Sequence, residues 1–236
     1  MEIRGHRECK ECGTEWSYYD TGEAACPECG SFYSVGIDDE RMLHTATAAT
    51  LNLAPVRDEV DSSSLRRLAS LATEWCREFT RGYGFIDAGE LRSLDDTYLA
   101  AMELQHVAGE LDRRLEVDDE EELYFTELLR ADLGERPAPA AVPESLRAMR
   151  GLAYAEAVRK YRSDLRTYLD DRTDPTTGRL LGRLDEHAKR VRALDGDVPP
   201  ADAESLVAAI RDVGRYLTDD DESALVEAET RLDGLA

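Results

Sequence analysis

The sequence predicts a mainly α fold, in which a small β ribbon at the N-terminus is followed by an α-helical bundle. Three observations carry this expectation. Residues 1–37 hold two cysteine knuckles among glycines and aromatics. From Asp61 onward apolar residues recur at three- and four-residue spacing, the period of one helix face. No strand-like alternation appears outside the N-terminal segment.

Within that segment, Cys12-Gly13, Thr21-Gly22 and Cys29-Gly30 are turn signals between short strands. The cysteines lie in two matching knuckles, Cys9-Lys10-Glu11-Cys12-Gly13 and Cys26-Pro27-Glu28-Cys29-Gly30, with thirteen residues between Cys12 and Cys26. Two residues between paired cysteines set the reach that lets both thiolates meet one ion about 2.3 Å away. The following glycine lets backbone N–H groups approach the sulfurs. Cys9, Cys12, Cys26 and Cys29 thus form a closed tetrahedral shell, the pattern of a structural zinc. Two disulfides would need a secreted protein. Met1-Glu2-Ile3-Arg4-Gly5-His6 lacks the apolar stretch of a signal peptide, so a cytoplasmic location is expected, where thiols stay reduced. Iron is the alternative metal, because rubredoxin-type sites use the same knuckles and four sulfurs do not separate the two ions.

Residues 38–60 are polar and small, reading as a linker packed on helices through Leu51, Leu53 and Val56. The helical domain is expected over 61–236, with a subdivision possible at the stiff segment Arg136–Pro143. Asp61-Ser62-Ser63-Ser64 supplies N-cap residues, and Leu65, Leu68, Leu71, Trp75 and Phe79 form one apolar stripe. Gly82 and Gly84 stop that helix. A second helix over 94–117 carries Leu104, Val107, Leu111 and Leu115, and carboxylates from Asp118 to Glu122 begin a third. Further helices are expected near 144–171, 176–194, 202–217 and 220–233, punctuated by Asp174-Pro175 and Pro199-Pro200. Cys76 reads as a small core residue rather than a nucleophile. Glu103-Leu104-Gln105-His106 has the E-x-x-H spacing of di-iron bundles. The second such motif is missing, because Leu184 stands three positions before His187; His106 is therefore expected to be a hydrogen-bonded packing residue.

Acidic residues number 51 against 29 basic ones, a net charge of −22, and the only lysines are Lys10, Lys160 and Lys189. Such a surface suits molar intracellular salt, where the Debye length falls to about 3 Å and self-repulsion is screened. Residues 147–192 run against the trend, with twelve basic and seven acidic residues. Arg159, Arg162 and Arg166 share a helix face there, and Tyr154, Tyr161 and Tyr168 recur every seven residues. Guanidinium groups beside exposed aromatics are the means by which proteins hold nucleic acid; paired with carboxylates, the same arginines are structural. The second arrangement is the expectation, with nucleic-acid contact as the alternative. No run of about 18 apolar residues is present, so no membrane helix is expected. Nucleophile-elbow, P-loop and dinucleotide fingerprints are absent, and the histidines at 6, 44, 106 and 187 are too scattered to suggest a hydrolytic triad.

The segment Tyr18–Gly30, with Asp20 and Gly22-Glu23 ahead of the second knuckle, resembles the zinc ribbon that begins archaeal transcription factor IIB. Nothing downstream resembles that factor's cyclin-like repeats. The whole chain is similar to an uncharacterised haloarchaeal family carrying such a ribbon, which implies a halophilic archaeal source. The expected function is that of a non-enzymatic zinc-ribbon interaction protein, docking to protein or nucleic acid in transcription or RNA metabolism. A rubredoxin-like electron-transfer or redox protein is the alternative.

Overall fold

The computed structural model describes residues 1–170 and 175–235. Asp174, the first half of the expected Asp174-Pro175 break, lies outside them. Two compact units are present: Met1–Thr50 with Gly82–Arg92, and Leu51–Arg81 with Ser93–Ala236. As the sequence predicts, the chain is mainly helical with small sheets beside the cysteine-rich N-terminus.

The first unit begins with β1 (Glu2–Ile3), β2 (His6–Cys9), β3 (Glu15–Ser17), the single-turn α1 (Tyr18–Thr21), β4 (Ser34–Gly36) and β5 (Met42–Leu43). Strands β3-β2-β4 form an antiparallel sheet, and β1 pairs with β5. Ser17 caps α1 by accepting a hydrogen bond from the Asp20 amide, and Gly22 ends it in the left-handed region. A hairpin of β6 (Ile86–Asp87) and β7 (Glu90–Leu91) completes the unit. It turns on Ala88 and Gly89, both with positive φ, as a two-residue loop demands. The Thr45 and Ala46 amides donate to the Ile86 carbonyl at 2.8 and 2.9 Å. Gly84 lies so close to the Thr45 backbone that a Cβ could not be accommodated. The sequence offers no alternation here, because each strand is only two residues long.

The second unit contains α2 (Ala54–Asp58), most of α3 (Leu65–Gly82), α4 (Asp96–Arg113), α5 (Asp119–Leu128), α6 (Arg147–Leu169), α7 (Pro175–Ala193), α8 (Pro200–Asp219) and α9 (Glu222–Asp233). Leu53 and Val56 are buried, and Arg57 of α2 pairs with Asp132. Asp95 caps α4, and Asp118 with Glu121 forms a capping box on α5. Two apolar stripes differ from expectation. On α3 the buried residues are Leu68, Ala69, Ala72, Cys76, Phe79 and Thr80, whereas Trp75 is 39% exposed. The face has rotated toward small side chains, which allow close packing. Leu115 lies beyond the end of α4 and is 97% exposed.

Helix α6 packs against α4, α7 and α8. It is buried on several sides, with Ala153, Ala155 and Ala157 permitting close approach. Gly151 faces the carbonyl of Gly196, where any Cβ would clash. At the centre, Arg150 and Glu103 are wholly buried, with Arg150 Nε 2.8 Å from Glu103 Oε1. Tyr124 donates to Oε1 of the same carboxylate, and Tyr154 to Oε2 at 3.1 Å. Arg150 also donates to the Tyr124 hydroxyl at 3.0 Å, the Pro137 carbonyl at 2.8 Å and Glu204 at 3.3 Å. Burial weakens the Arg150 cation, but Glu103 and the tyrosines overcome this and push its pKa up.

A buried pair is costly to break on one side. Arg150→Met should destabilise the chain by about 3–5 kcal/mol in denaturant titration. Adding Glu103→Leu should restore a substantial part, since no uncompensated charge then remains. Equal stability of Arg150→Met and wild type would show that the pair is not the centre of the bundle.

Candidate metal centre

Each knuckle is built by its own backbone. The Cys9 amide donates to the Thr14 carbonyl at 2.8 Å and the Gly13 amide to Cys9 at 3.0 Å. The second repeats the pattern: Cys26 to Ser31 at 2.8 Å and Gly30 to Cys26 at 2.9 Å. Gly13 and Gly30 have φ of 78° and 72°, a region that glycine enters without a Cβ penalty. This equivalence explains the matching sequence of the knuckles. Strand β2 ends at Cys9, so the sheet places the first knuckle, and Trp16 of β3 packs with buried Cys9 and Cys26. The Trp16 indole is fixed by donating to the Glu23 carbonyl at 3.0 Å.

The four sulfurs lie within 4.8 Å of one another. Cys9 and Cys29 are 3.6 Å apart, as are Cys12 and Cys26, so the close pairs cross between knuckles. All four cysteines are free. A tetrahedron with metal–sulfur bonds of about 2.3 Å has edges of about 3.8 Å, so the cluster fits a four-thiolate metal ion and these residues could hold one. The Thr14 hydroxyl, 3.3 Å from Cys12 Sγ, and then the Thr14 amide lower the Cys12 pKa to about 6. The Ser31 amide acts likewise on Cys29, but Cys12 beside it, burial and Cys9 outweigh that and raise Cys29 to about 12. One ionised sulfur therefore holds the proton on its neighbour, and a central cation would release both.

Elsewhere, Cys76 is fully buried, and burial raises its thiol pKa far above the usual range. His106 Nε2 lies 3.1 Å from Glu156. Glu103 of the E-x-x-H is held by Arg150, Tyr124 and Tyr154, as described above. In the basic stretch, Arg162 donates to the Leu181 carbonyl at 2.6 Å and lies 3.3 Å from Asp185, while Arg159 and Arg166 are exposed. Tyr154 and Tyr161 are buried and Tyr168 half-buried, so no fully exposed ring of this series stands beside the arginines. Arg179 and Arg183 reach Glu229 and Asp233 at 3.1 and 2.6 Å. No helix among the described residues is long and apolar enough to cross a membrane.

Sequence reasoning missed an apolar row beside the knuckles. Strand β4 is the edge of its sheet, and Phe32, Tyr33, Val35 and Ile37 are 77, 69, 42 and 43% exposed. Tyr33, Val35 and Ile37 alternate with half-buried Ser34 and Gly36, and so share one face. The signal was the alternation itself, but it spans too few residues to stand out.

The model of a family of unknown function (DUF7117) matches residues 1–232. No curated protein and no solved structure matches the chain.

Replacing Cys26 with Ser should abolish binding of one metal ion per chain, read by elemental mass spectrometry. It should also release the near-ultraviolet dichroism of Trp16 while leaving most helical signal intact. Full metal content in the variant would break the four-sulfur assignment.

Proposed function

The chain belongs to that family over nearly its whole length, and we propose that it is a non-enzymatic interaction protein whose N-terminal zinc ribbon docks to transcription or RNA-metabolism machinery. The observation that carries this reading is the exposed row of Tyr33, Val35 and Ile37, in and flanking the edge strand β4, with exposed Phe32 beside it next to the cysteine cluster. Contiguous exposed apolar side chains on a soluble surface favour a protein partner. An open strand edge also offers unpaired backbone groups to one.

In this reading residues 1–37 are the docking ribbon, 38–60 a linker packed on helices, and 61–236 the helical domain. Zinc is the resident ion, held by Cys9, Cys12, Cys26 and Cys29. With every position of the shell filled by sulfur, it serves the local fold and offers no site for substrate. The ribbon is of the transcription factor IIB type, and the protein works in a halophilic cytoplasm. The net charge of −22 supports that setting. The pairing of Arg162 with Asp185 favours a structural role for the arginine stretch.

Purified protein should be colourless and contain zinc; visible absorption from ferric tetrathiolate would move the assignment to electron transfer. Val35→Asp with Ile37→Asp should keep the metal and the fold, because both side chains are exposed. Wild type should capture transcription or RNA-processing subunits from a high-salt lysate, and the double variant should lose them. Capture of the same proteins by both would sink the docking surface. Thermal stability should rise steeply from about 10 mM to about 1 M KCl, as the Debye length shortens from about 30 Å to about 3 Å. A flat profile would remove the halophilic setting.

A further inference from the structure

In a chain with so many carboxylates, arginines find partners easily. Arg67 meets Glu59, Arg114 meets Glu110, and Arg211 meets Asp96. The side chains of Arg77 and Arg81 of α3, like those of Arg41, Arg66 and Arg147, make no hydrogen bond or ion pair with any described residue; what sets the two apart is that they share a cleft. They stand four residues apart on one helix face, and both line a cleft of about 330 Å³. That volume is at the small end of the range for small-molecule sites.

The rest of the cleft is laid out for an oxyanion. Lys160 adds a third cation, partly offset by Asp164 at 3.3 Å. The one carboxylate in the lining, Glu156, is engaged by His106 at 3.1 Å. The Thr80 hydroxyl donates to Gln105 Oε1 at 3.2 Å, which leaves the Gln105 amide NH₂ as a donor. Tyr98 and Met102, both buried, form an apolar floor on which the carbon part of a ligand could rest. The carbonyl end of α3 accounts for a cation at Arg81, in the last turn. It does not account for Arg77, a full turn earlier, or for the amide donor.

We propose that this cleft binds the terminal phosphate of a small phosphomonoester. The uncommitted charge is two guanidinium groups, which matches a phosphate of about −1.5 to −2 at neutral pH. A carboxylate would leave one cation unneutralised. Planar guanidinium groups also hold phosphate oxygens by paired N–H donors, which adds geometric specificity to the charge. The proposal is independent of the ribbon and its partners.

The test is calorimetric titration of the full chain with ribose 5-phosphate, in KCl sufficient to keep it folded and at fixed ionic strength. One saturable site is expected. Arg77→Ala with Arg81→Ala should weaken it by at least about tenfold, since charge-assisted hydrogen bonds are lost. Arg66→Ala, on the same helix, should change nothing, and circular dichroism should show all variants folded. Absence of saturable binding overturns the site, as does equal affinity in the double variant. A single-stranded oligonucleotide that binds through Arg77 and Arg81 while ribose 5-phosphate does not would assign the cleft to a nucleic-acid backbone and overturn the small-molecule reading.

Discussion

The helical unit is organised around one buried charge pair, Arg150 with Glu103, and the hydroxyls that complete it. Glu103 comes from α4, Arg150 and Tyr154 from α6, Tyr124 from α5 and Glu204 from α8. The Pro137 carbonyl brings in the proline-rich segment, and Arg136 bridges Tyr154 and Glu204. Such a network is poor evidence of added stability, because desolvating two charges costs several kcal/mol. Its effect is on arrangement. Alternative packings of alanine-rich helices would cost little in apolar area, but any that separated Arg150 from Glu103 would strand a charge in the core. Register among four helices is thereby restricted to arrangements that satisfy one guanidinium and one carboxylate together.

The ribbon meets the same constraint with the opposite sign. Four sulfurs gathered within 4.8 Å cannot all ionise unless a cation joins them. Residues 1–36 have almost no hydrophobic core, since Cys9, Trp16 and Cys26 are the buried cluster there. Apolar burial on that scale does not fold a segment of this length unaided. A metal ion held by the four sulfurs would stand where a core would otherwise be, which leaves Tyr33, Val35 and Ile37 exposed rather than drawn into one.

What could be read in advance follows from how local each signal is. The cysteine cluster was legible because a C-x2-C-G knuckle specifies its own backbone, down to the positive φ of Gly13 and Gly30. Helices α4 to α9 were legible from period and punctuation, with ends shifted by a few residues. The buried face of α3 was not: Leu65, Leu71 and Trp75 outweigh Ala69 and Ala72 in any hydropathy reading, yet close packing selects the alanines. The β6–β7 hairpin was invisible because its turn uses Ala88, a residue that rarely takes positive φ, and is held by the Thr45 and Ala46 amides, some forty residues distant. Glu103 was visible as half of an E-x-x-H, but its true partner lies 47 residues away. Pairing at such distance leaves no mark on spacing.

These facts bear on how an acidic chain uses its few cations. Arginines here fall into three environments. Arg150 is wholly buried and lies beyond the reach of salt. Pairs at the surface, such as Arg179 with Glu229, are screened and contribute little at molar ionic strength. Exposed arginines such as Arg41, Arg66, Arg77 and Arg81 make no ion pair with a described residue despite the surplus of carboxylates. Rising salt weakens the second group and leaves the first untouched, while easing the repulsion among the remaining carboxylates. The architecture of the bundle thus rests on charges that salt cannot reach, and the surface on charges that salt must screen. An arginine that is neither buried nor paired is committed to no carboxylate. In a chain with 51 acidic residues, two such groups one turn apart in a cleft are open to an anion that need not first displace a carboxylate. An ion pair made there with a ligand would form without breaking one already present, which is the condition under which a surface cation contributes to binding rather than to folding.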